Sequence, residues 1–263
     1  MKFQAVAALA VLTVSACATT QPSQSGEVYD PWEGWNRKVY GFNEVVDKAA
    51  LEPVARAYRV ATPTLFREGV NNVLSNLRQP VVFVNTVLQG NPDASGETFG
   101  RFLINSTAGV AGIFDVASAL GVAKHDEDFG QTLGVWGVEP GPYIILPVMG
   151  PSNLRDFMGR GVDNAFDPLN WTEFEDRDLD NEIMVTRTVV GAIATRERLI
   201  ETIETLRDQP EPYIAMRRNY TSQRQAAIRN GKIEDDPYKD LPDFDDFDEF
   251  GFEEESGSDQ PQD

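Results

Sequence analysis

The chain has 263 residues, with 23 Lys or Arg against 42 Asp or Glu, and its formal net charge is −19. Residues 234–263 alone carry a balance of −13, which leaves only −6 on the rest. Neither part has the basic footprint of a nucleic-acid-binding protein, and a single cysteine excludes a disulfide within the chain.

The N-terminus predicts export. Residues 1–16 have the form of a signal peptide: Lys2 supplies a positive charge, and residues 3–14 are almost entirely apolar. This run is too short for a bilayer, which needs about 20 residues as a helix. It ends in Val-Ser-Ala-Cys, which resembles the lipobox of bacterial lipoproteins, in which the cysteine is acylated after cleavage. We therefore predict a lipidated Cys17 followed by a flexible tether over residues 17–29; the alternative is an ordinary signal peptide with a chance cysteine.

The destination follows from the same motif. Ala18 stands where lipoproteins retained in the inner membrane usually have Asp, so the resemblance implies the outer membrane. Three acyl chains on Cys17 would anchor the protein stably, because each buried methylene contributes roughly 0.8 kcal/mol.

Residues 30–230 predict a helical domain. Asp30 and Pro31 have the residue types of an N-cap and a first helical position. Apolar residues then recur at helical spacing up to a break at Pro53. A second helix, predicted to start at Thr62 with the same cap chemistry, has an apolar stripe to Leu88, with a kink or an end at Pro80. The stripe of the first helix comprises Trp32, Trp35, Val39, Phe42, Val46 and Ala49, and the second one includes Phe66, Val70, Val73, Leu74 and Leu77.

The second half of this domain is more varied. Residues 90–92 predict a turn, and residues 130–151 are so rich in Gly and Pro that we expect no regular helix there, only a short strand over Tyr143–Leu146. Residues 181–208 predict the longest helix. Residues 213–229 predict a last, basic helix that either meets phosphates or a partner or is a solvated face. We find no run of 18 apolar residues, and hence expect no transmembrane helix.

The sequence offers little catalytic chemistry. The single histidine, His125, lies in a polar stretch and is predicted to be exposed. The chain has no G-x-S-x-G motif, no phosphate-binding loop and no Cys/His set for zinc. Acidic pairs such as those in residues 173–176 are better explained as solvated surface. We therefore predict no catalytic residue, no metal, no cofactor and no enzyme.

The acidic C-terminus, residues 231–263, is predicted to be disordered because like charges repel and the apolar residues are too few for a core. Its phenylalanines recur between acidic residues. They belong either to a solvated tail or to a short motif that docks a basic periplasmic partner.

Several motifs of residues 17–230 resemble the MlaA (VacJ) family of outer-membrane lipoproteins. The most specific is the order of Gly, Pro, Leu-Pro and Arg-Asp between residues 129 and 156. The motifs are DPWEGWNR at 30–37, NTVLQG at 85–90, FGRFLINST at 99–107, FGQTLG at 129–134 and GPSNLRD at 150–156.

The resemblance implies a mainly α fold: a ring or disc of amphipathic helices in the inner leaflet, with a Gly/Pro-rich irregular segment and a central polar channel. It also implies removal of mislocalised phospholipid from the outer leaflet, delivery to a periplasmic lipid-carrier protein, and association with a trimeric porin. Alternatives are a structural adaptor of porins, or a phospholipid-acting hydrolase, which the missing nucleophile disfavours. Our channel or gate candidates are Tyr40, Gly41, Phe42, Asn43, Gly130, Gly134, Gly137 and Gly141; the glycines are equally compatible with tight loops.

Overall fold

The structure is a computed structural model that describes residues 28–170 and 177–230. The chain divides into two compact units, Met1–Ile228 and Arg229–Asp263, and almost all described residues belong to the first. The signal peptide, Cys17, the acidic residues 173–176 and the acidic tail lie outside the described residues, so the predicted domain boundaries stay predictions.

The fold is mainly helical, as predicted, with one small two-stranded sheet. Within the two described ranges, each helix is too short or too polar to cross a membrane. The elements are α1 (Glu33–Val46), a π-helical turn (Asp47–Leu51), α2 (Glu52–Ala61), α3 (Thr64–Leu88), α4 (Pro92–Thr107), α5 (Val116–Ala119), α6 (Phe129–Val135), β1 (Tyr143–Leu146), β2 (Gly150–Asn153), α7 (Leu154–Phe166), a 3₁₀ turn (Pro168–Asn170), α8 (Arg177–Arg198), α9 (Ile200–Arg207) and α10 (Pro212–Ile228).

Two predicted helix caps are wrong. α1 starts at Glu33 without a side-chain cap, because the carboxylate of Asp30 instead accepts a hydrogen bond from Asn36 at 2.8 Å. α3 starts at Thr64, also without a side-chain cap. The hydroxyl of Thr62 donates backwards to the carbonyl oxygen of Tyr58, so it contributes to the end of α2.

Prolines interrupt the helices less than predicted. Pro53 lies in the first turn of α2, where its missing N–H is of little consequence, and the π-helical turn joins α1 to α2. α3 does not end at Pro80 but runs through it. The long helix predicted over residues 181–208 is divided at Leu199 into α8 and α9.

The Gly/Pro-rich segment contains more regular structure than predicted. α6 forms at its start, against our expectation, because the side chain of Asp128 accepts from the Gln131 N–H at 2.8 Å and caps the helix. β1 is confirmed over Tyr143–Leu146, and it pairs antiparallel with β2, with Tyr143 opposite Asn153. The two strands form a β-hairpin whose tip includes Val148.

Candidate functional site

Many polar side chains are buried in this fold, and many large apolar side chains are exposed. Among the described residues, buried polar and charged side chains outnumber buried apolar ones. Arg217 and Asp156 are each only 5% exposed, whereas Trp35 is 66% exposed and Val60 is 89% exposed. Buried charges and exposed large apolar residues are the informative exceptions in a protein structure. Here they indicate an exterior suited to lipid around a polar interior.

One interior cluster joins α6, α7 and α10. The guanidinium of Arg224 contacts both carboxylate oxygens of Asp128, at 2.6 and 2.8 Å, and its Nε lies 2.7 Å from Asp156. Asp156 also pairs with Arg155 at 3.0 Å and accepts from the hydroxyl of Tyr220. Burial alone would raise the pKa of Asp128, but the hydrogen bonds and charge of Arg224 outweigh it and lower the pKa to about 2.

A second cluster joins the start of α1 to α10. Arg217 lies 2.9 Å from Asp30, and the hydroxyl of Tyr213 donates to the same carboxylate. The last helix is therefore basic for a reason that neither predicted alternative covers. Arg217 and Arg224 face buried carboxylates, and only neighbours such as Arg218 remain exposed.

Two asparagines attach α1 to the hairpin. Asn36 donates to the Tyr143 carbonyl and accepts from the Ile145 N–H, both at 3.0 Å. Asn43 donates to the Leu146 carbonyl at 2.9 Å and accepts from the Val148 N–H at 2.7 Å. The two residues are about two helical turns apart and share a face, so α1 satisfies the edge of β1 that β2 leaves open.

The gate candidates of α1 therefore differ in their surroundings. Asn43 is bonded to the hairpin, and the ring of Tyr40 packs edge-on against Tyr213 at a centroid distance of 6.0 Å. Gly41 and Phe42 face outward, Phe42 with 52% of its surface exposed. The structure thus brings Asn43 and Tyr40 together with the hairpin and α10, and a gating role for the four residues stays a prediction.

The four candidate glycines fall into two pairs. A Cβ on Gly130 would lie 2.7 Å from an oxygen of Asp156, and one on Gly134 would lie 2.8 Å from Ile228, so both permit close packing of α6. Gly137 and Gly141 have positive φ angles of +86° and +67°, a backbone conformation that favours glycine. Their contribution to a channel stays a prediction.

An apolar groove, which the sequence did not reveal, lies between α3, residues 113–119 and α8. Its volume is about 1210 Å³, above the roughly 300–1,000 Å³ of common small-ligand pockets. The predicted stripe of α3 forms one wall, so its signal was present in the sequence without its purpose. The apolar lining includes Leu65, Phe66, Val70, Val73, Leu74, Leu77, Ile113, Phe114, Val116, Ala119, Leu179, Ile183 and Val190.

Charged residues occupy set positions along this groove. Arg187 lines the α8 side and forms an ion pair with Asp167 at 2.6 Å. Asp115 lines the opposite side, and Arg101 holds both of its oxygens at 2.8 Å. Burial would raise the pKa of Asp115, but bonds from Ser118 and Asn105 and the charge of Arg101 lower it to about 2.

His125 is half-buried, so the prediction of an exposed side chain is wrong. Its Nε2 lies 2.6 Å from a carboxylate oxygen of Glu97. The described ranges contain no group of three or more His, Cys, Asp or Glu side chains placed to hold a metal ion.

Large exposed apolar residues, buried ion pairs and a wide apolar groove define a helical protein with surfaces suited to lipid. The comparisons identify the kind. A family model described as MlaA lipoprotein matches residues 28–227. The chain belongs to the MlaA lipoprotein family, and the family resemblance drawn from the motifs is confirmed.

Individual relatives agree. The chain is 36% identical over 228 residues to the intermembrane phospholipid transport system lipoprotein MlaA of Escherichia coli, covering 85% of this chain and 87% of that protein. It is 37% identical to an uncharacterized protein of Rickettsia typhi, covering 77% and 79%. A solved structure from work on the structural basis for maintenance of bacterial outer membrane lipid asymmetry is 35% identical, with a TM-score of 0.67 and coverage of 76% of this chain and 98% of that one.

Proposed function

We propose that this protein is an outer-membrane lipoprotein that removes mislocalised phospholipid from the outer leaflet and passes it toward a periplasmic lipid carrier. The observation that carries the proposal is the combination of buried charged clusters with large exposed apolar residues. The E. coli relative, which is named for intermembrane phospholipid transport, supports the same function.

The groove and the polar interior suit the two parts of a phospholipid. Acyl chains would lie along the apolar walls of α3 and α8, while the headgroup would follow polar groups. This separation avoids the cost of placing an unpaired charge in an apolar medium. Arg187 is placed to contact a phosphate, because a guanidinium has five N–H donors and can retain its pair with Asp167 while binding another anion.

The remaining parts of the proposal rest on sequence. Acylation of Cys17 would hold the protein in the inner leaflet of the outer membrane, and association with a trimeric porin would place the groove beside a protein that crosses the bilayer. A hydrolytic role has less support, because a Ser-His-Asp mechanism needs a serine nucleophile bonded to the histidine. The sequence has no G-x-S-x-G motif, and the side chain that His125 contacts is the carboxylate of Glu97.

The test compares a deletion strain with strains carrying wild type or a groove variant. Surface phosphatidylethanolamine is measured on intact cells with an amine reagent that does not cross the membrane. Ala119→Trp places a large ring in the groove from an exposed position, and its matched control is Leu120→Trp at the next residue, also exposed. We expect surface phospholipid to rise on deletion and to remain raised with the Ala119 variant, but to return to wild type with the control.

If deletion leaves surface phospholipid at the wild-type level, transport is excluded and the porin-adaptor function is favoured. If deletion raises it but the Ala119 variant restores it fully, transport stands and the groove is not its route. Lyso-lipid formed by the purified protein would instead favour a hydrolase.

A further inference from the structure

A second, smaller pocket lies where the described chain begins. It has a volume of about 430 Å³ and lies between the start of α1 and β1. Trp32 and Trp35 form one side, with 51% and 66% of their surfaces exposed. Its lining consists of Trp32, Trp35, Asn36, Ile144, Ile145, Leu146 and Pro147.

The pocket presents an apolar, uncharged surface. Side chains alternate along β1, so that Tyr143 and Ile145 are buried while Ile144 and Leu146 point to the other face. Apart from the indole N–H groups of Trp32 and Trp35, the polar side-chain group in the lining is the amide of Asn36. That amide is already bonded to Asp30, to the Tyr143 carbonyl and to the Ile145 N–H. A ligand for this pocket is therefore a hydrocarbon chain and not a headgroup or an ion.

The N-terminal segment leads from this pocket toward Cys17. The carbonyl oxygen of Tyr29 accepts from the Tyr143 N–H at 2.9 Å, which fixes residue 29 at the first residue of β1. Eleven residues separate it from Cys17, and the twelve steps between the two residues, at roughly 3.3–3.6 Å each, reach at most about 43 Å. Acyl chains carried by Cys17 are thus confined near the pocket, which raises their effective concentration there.

The position of the pocket relative to the membrane–water interface also suits an acyl chain. Exposed Trp and Tyr side chains concentrate at membrane–water interfaces, and Tyr29, Trp32 and Trp35 are all exposed beside the pocket. An acyl chain on a lipidated cysteine starts at the same depth. The volume is about a third of that of the groove, which favours one chain over a whole diacyl lipid.

We propose that the pocket between α1 and β1 seats one acyl chain of this protein's own lipidated Cys17. The proposal goes beyond lipid transport and rests on acylation of Cys17. Its consequence is that the anchor is not only a tether. The acyl chain becomes part of the contact between α1 and the hairpin, about two helical turns of α1 from Asn43.

The experiment uses the full-length protein in the envelope of a Gram-negative cell. The photoreactive residue p-benzoylphenylalanine replaces Trp35, or Trp32 in a second strain; both sites are exposed, so the replacement disturbs little packing. The matched control places it at Val60, an 89% exposed apolar position near the end of α2. After irradiation, the intact mass gives the acylation state, and digestion followed by mass spectrometry identifies each adduct.

We expect adducts between position 35 or 32 and an acyl chain of the N-terminal lipopeptide, in yields at least about tenfold above those at position 60. A tenfold difference corresponds to a preference of about 1.4 kcal/mol for the pocket over the surface near position 60. Equal yields at positions 35 and 60 would show an anchor that moves freely in the bilayer and would overturn the proposal. So would adducts at 35 and 32 only with free phospholipid or with another polypeptide, or an intact mass without acyl chains. Surface phospholipid is measured in the same strains. If it is at the wild-type level while the expected adducts are missing, this proposal fails and transport stands.

Discussion

Replacing Arg224 with Met tests whether the interior ion cluster holds the fold together. Arg224 contacts Asp128 through two nitrogens, at 2.6 and 2.8 Å, and Asp156 through Nε at 2.7 Å. Its loss leaves two largely buried carboxylates without this cation. Removing one partner of a buried pair typically costs about 3–5 kcal/mol.

The pKa of Asp128 gives a second route to the magnitude. Its lowering from 3.8 to about 2 corresponds to about 2 kcal/mol, because one pKa unit is about 1.4 kcal/mol. Asp156 has the smaller exposed fraction of the two carboxylates, 5% against 20%, and adds to this cost. We therefore expect Arg224→Met to lower the free energy of unfolding by about 3 kcal/mol at neutral pH.

The assay is urea unfolding in mild detergent, followed by tryptophan fluorescence, with Arg218→Met as the exposed control on the same helix. A carboxylate whose pKa is lower in the folded than in the unfolded state stabilises the fold at pH values above its unfolded-state pKa. This stabilisation is lost as the pH falls through the folded-state pKa. The difference between wild type and Arg224→Met should therefore change little between pH 7 and about 5, and should narrow as the pH falls further toward the folded-state value of about 2. A loss below about 1 kcal/mol, the range of exposed ion pairs, or a difference that does not change with pH, would refute the assignment.

Three further predictions concern packing, the hairpin and the anchor. Gly159→Ala should lower the free energy of unfolding by about 1–3 kcal/mol in the same assay, because its Cβ would lie 2.4 Å from the Gly130 nitrogen. Its control, Gly161→Ala, has nothing within 4 Å of the new Cβ and should be neutral or stabilising. Equal effects of the two substitutions would contradict this. Asn43→Leu removes two hydrogen bonds to the hairpin, so hydrogen exchange of hairpin amides should quicken by at least about tenfold, for bonds of roughly 1 kcal/mol each, and unchanged exchange would count against the α1–hairpin contact. Cys17→Ser should abolish outer-membrane location and transport, shown by membrane fractionation and surface labelling; wild-type behaviour would disprove the anchor.

The helices could be predicted from the sequence because an apolar stripe recurs every three or four residues whatever solvent it faces. Whether the apolar stripe is buried or exposed could not be predicted from the sequence. Trp35 and Phe42 belong to the predicted stripe of α1, yet both are more than half exposed. Val39 of the same stripe is buried, and so is the polar Asn36. Periodicity records a difference between two faces, and only the tertiary structure shows which face is buried.

The polar interior was beyond sequence reasoning for a related reason. Asp128 and Arg224 are 96 residues apart, and no local pattern pairs them. Asp30 was predicted as a helix cap from its neighbours, but Arg217 and Tyr213 of the distant α10 engage it instead. A helix cap by Asp30 would contribute about 1 kcal/mol, and the buried, charge-assisted hydrogen bonds that Asp30 makes instead outweigh this contribution.

A polar interior changes what holds such a fold in shape. Lipid offers little hydrophobic force between helices, so association depends on packing and directional polar bonds. At the π-helical turn, Asp47 binds Arg196 at 2.6 Å, and Glu52 binds Arg207 at 2.7 Å, which attaches α8 and α9 to the helical stretch before α3. Because α8 is also one wall of the groove, the ion pair of Arg196 helps to place that wall as well as to stabilise the fold.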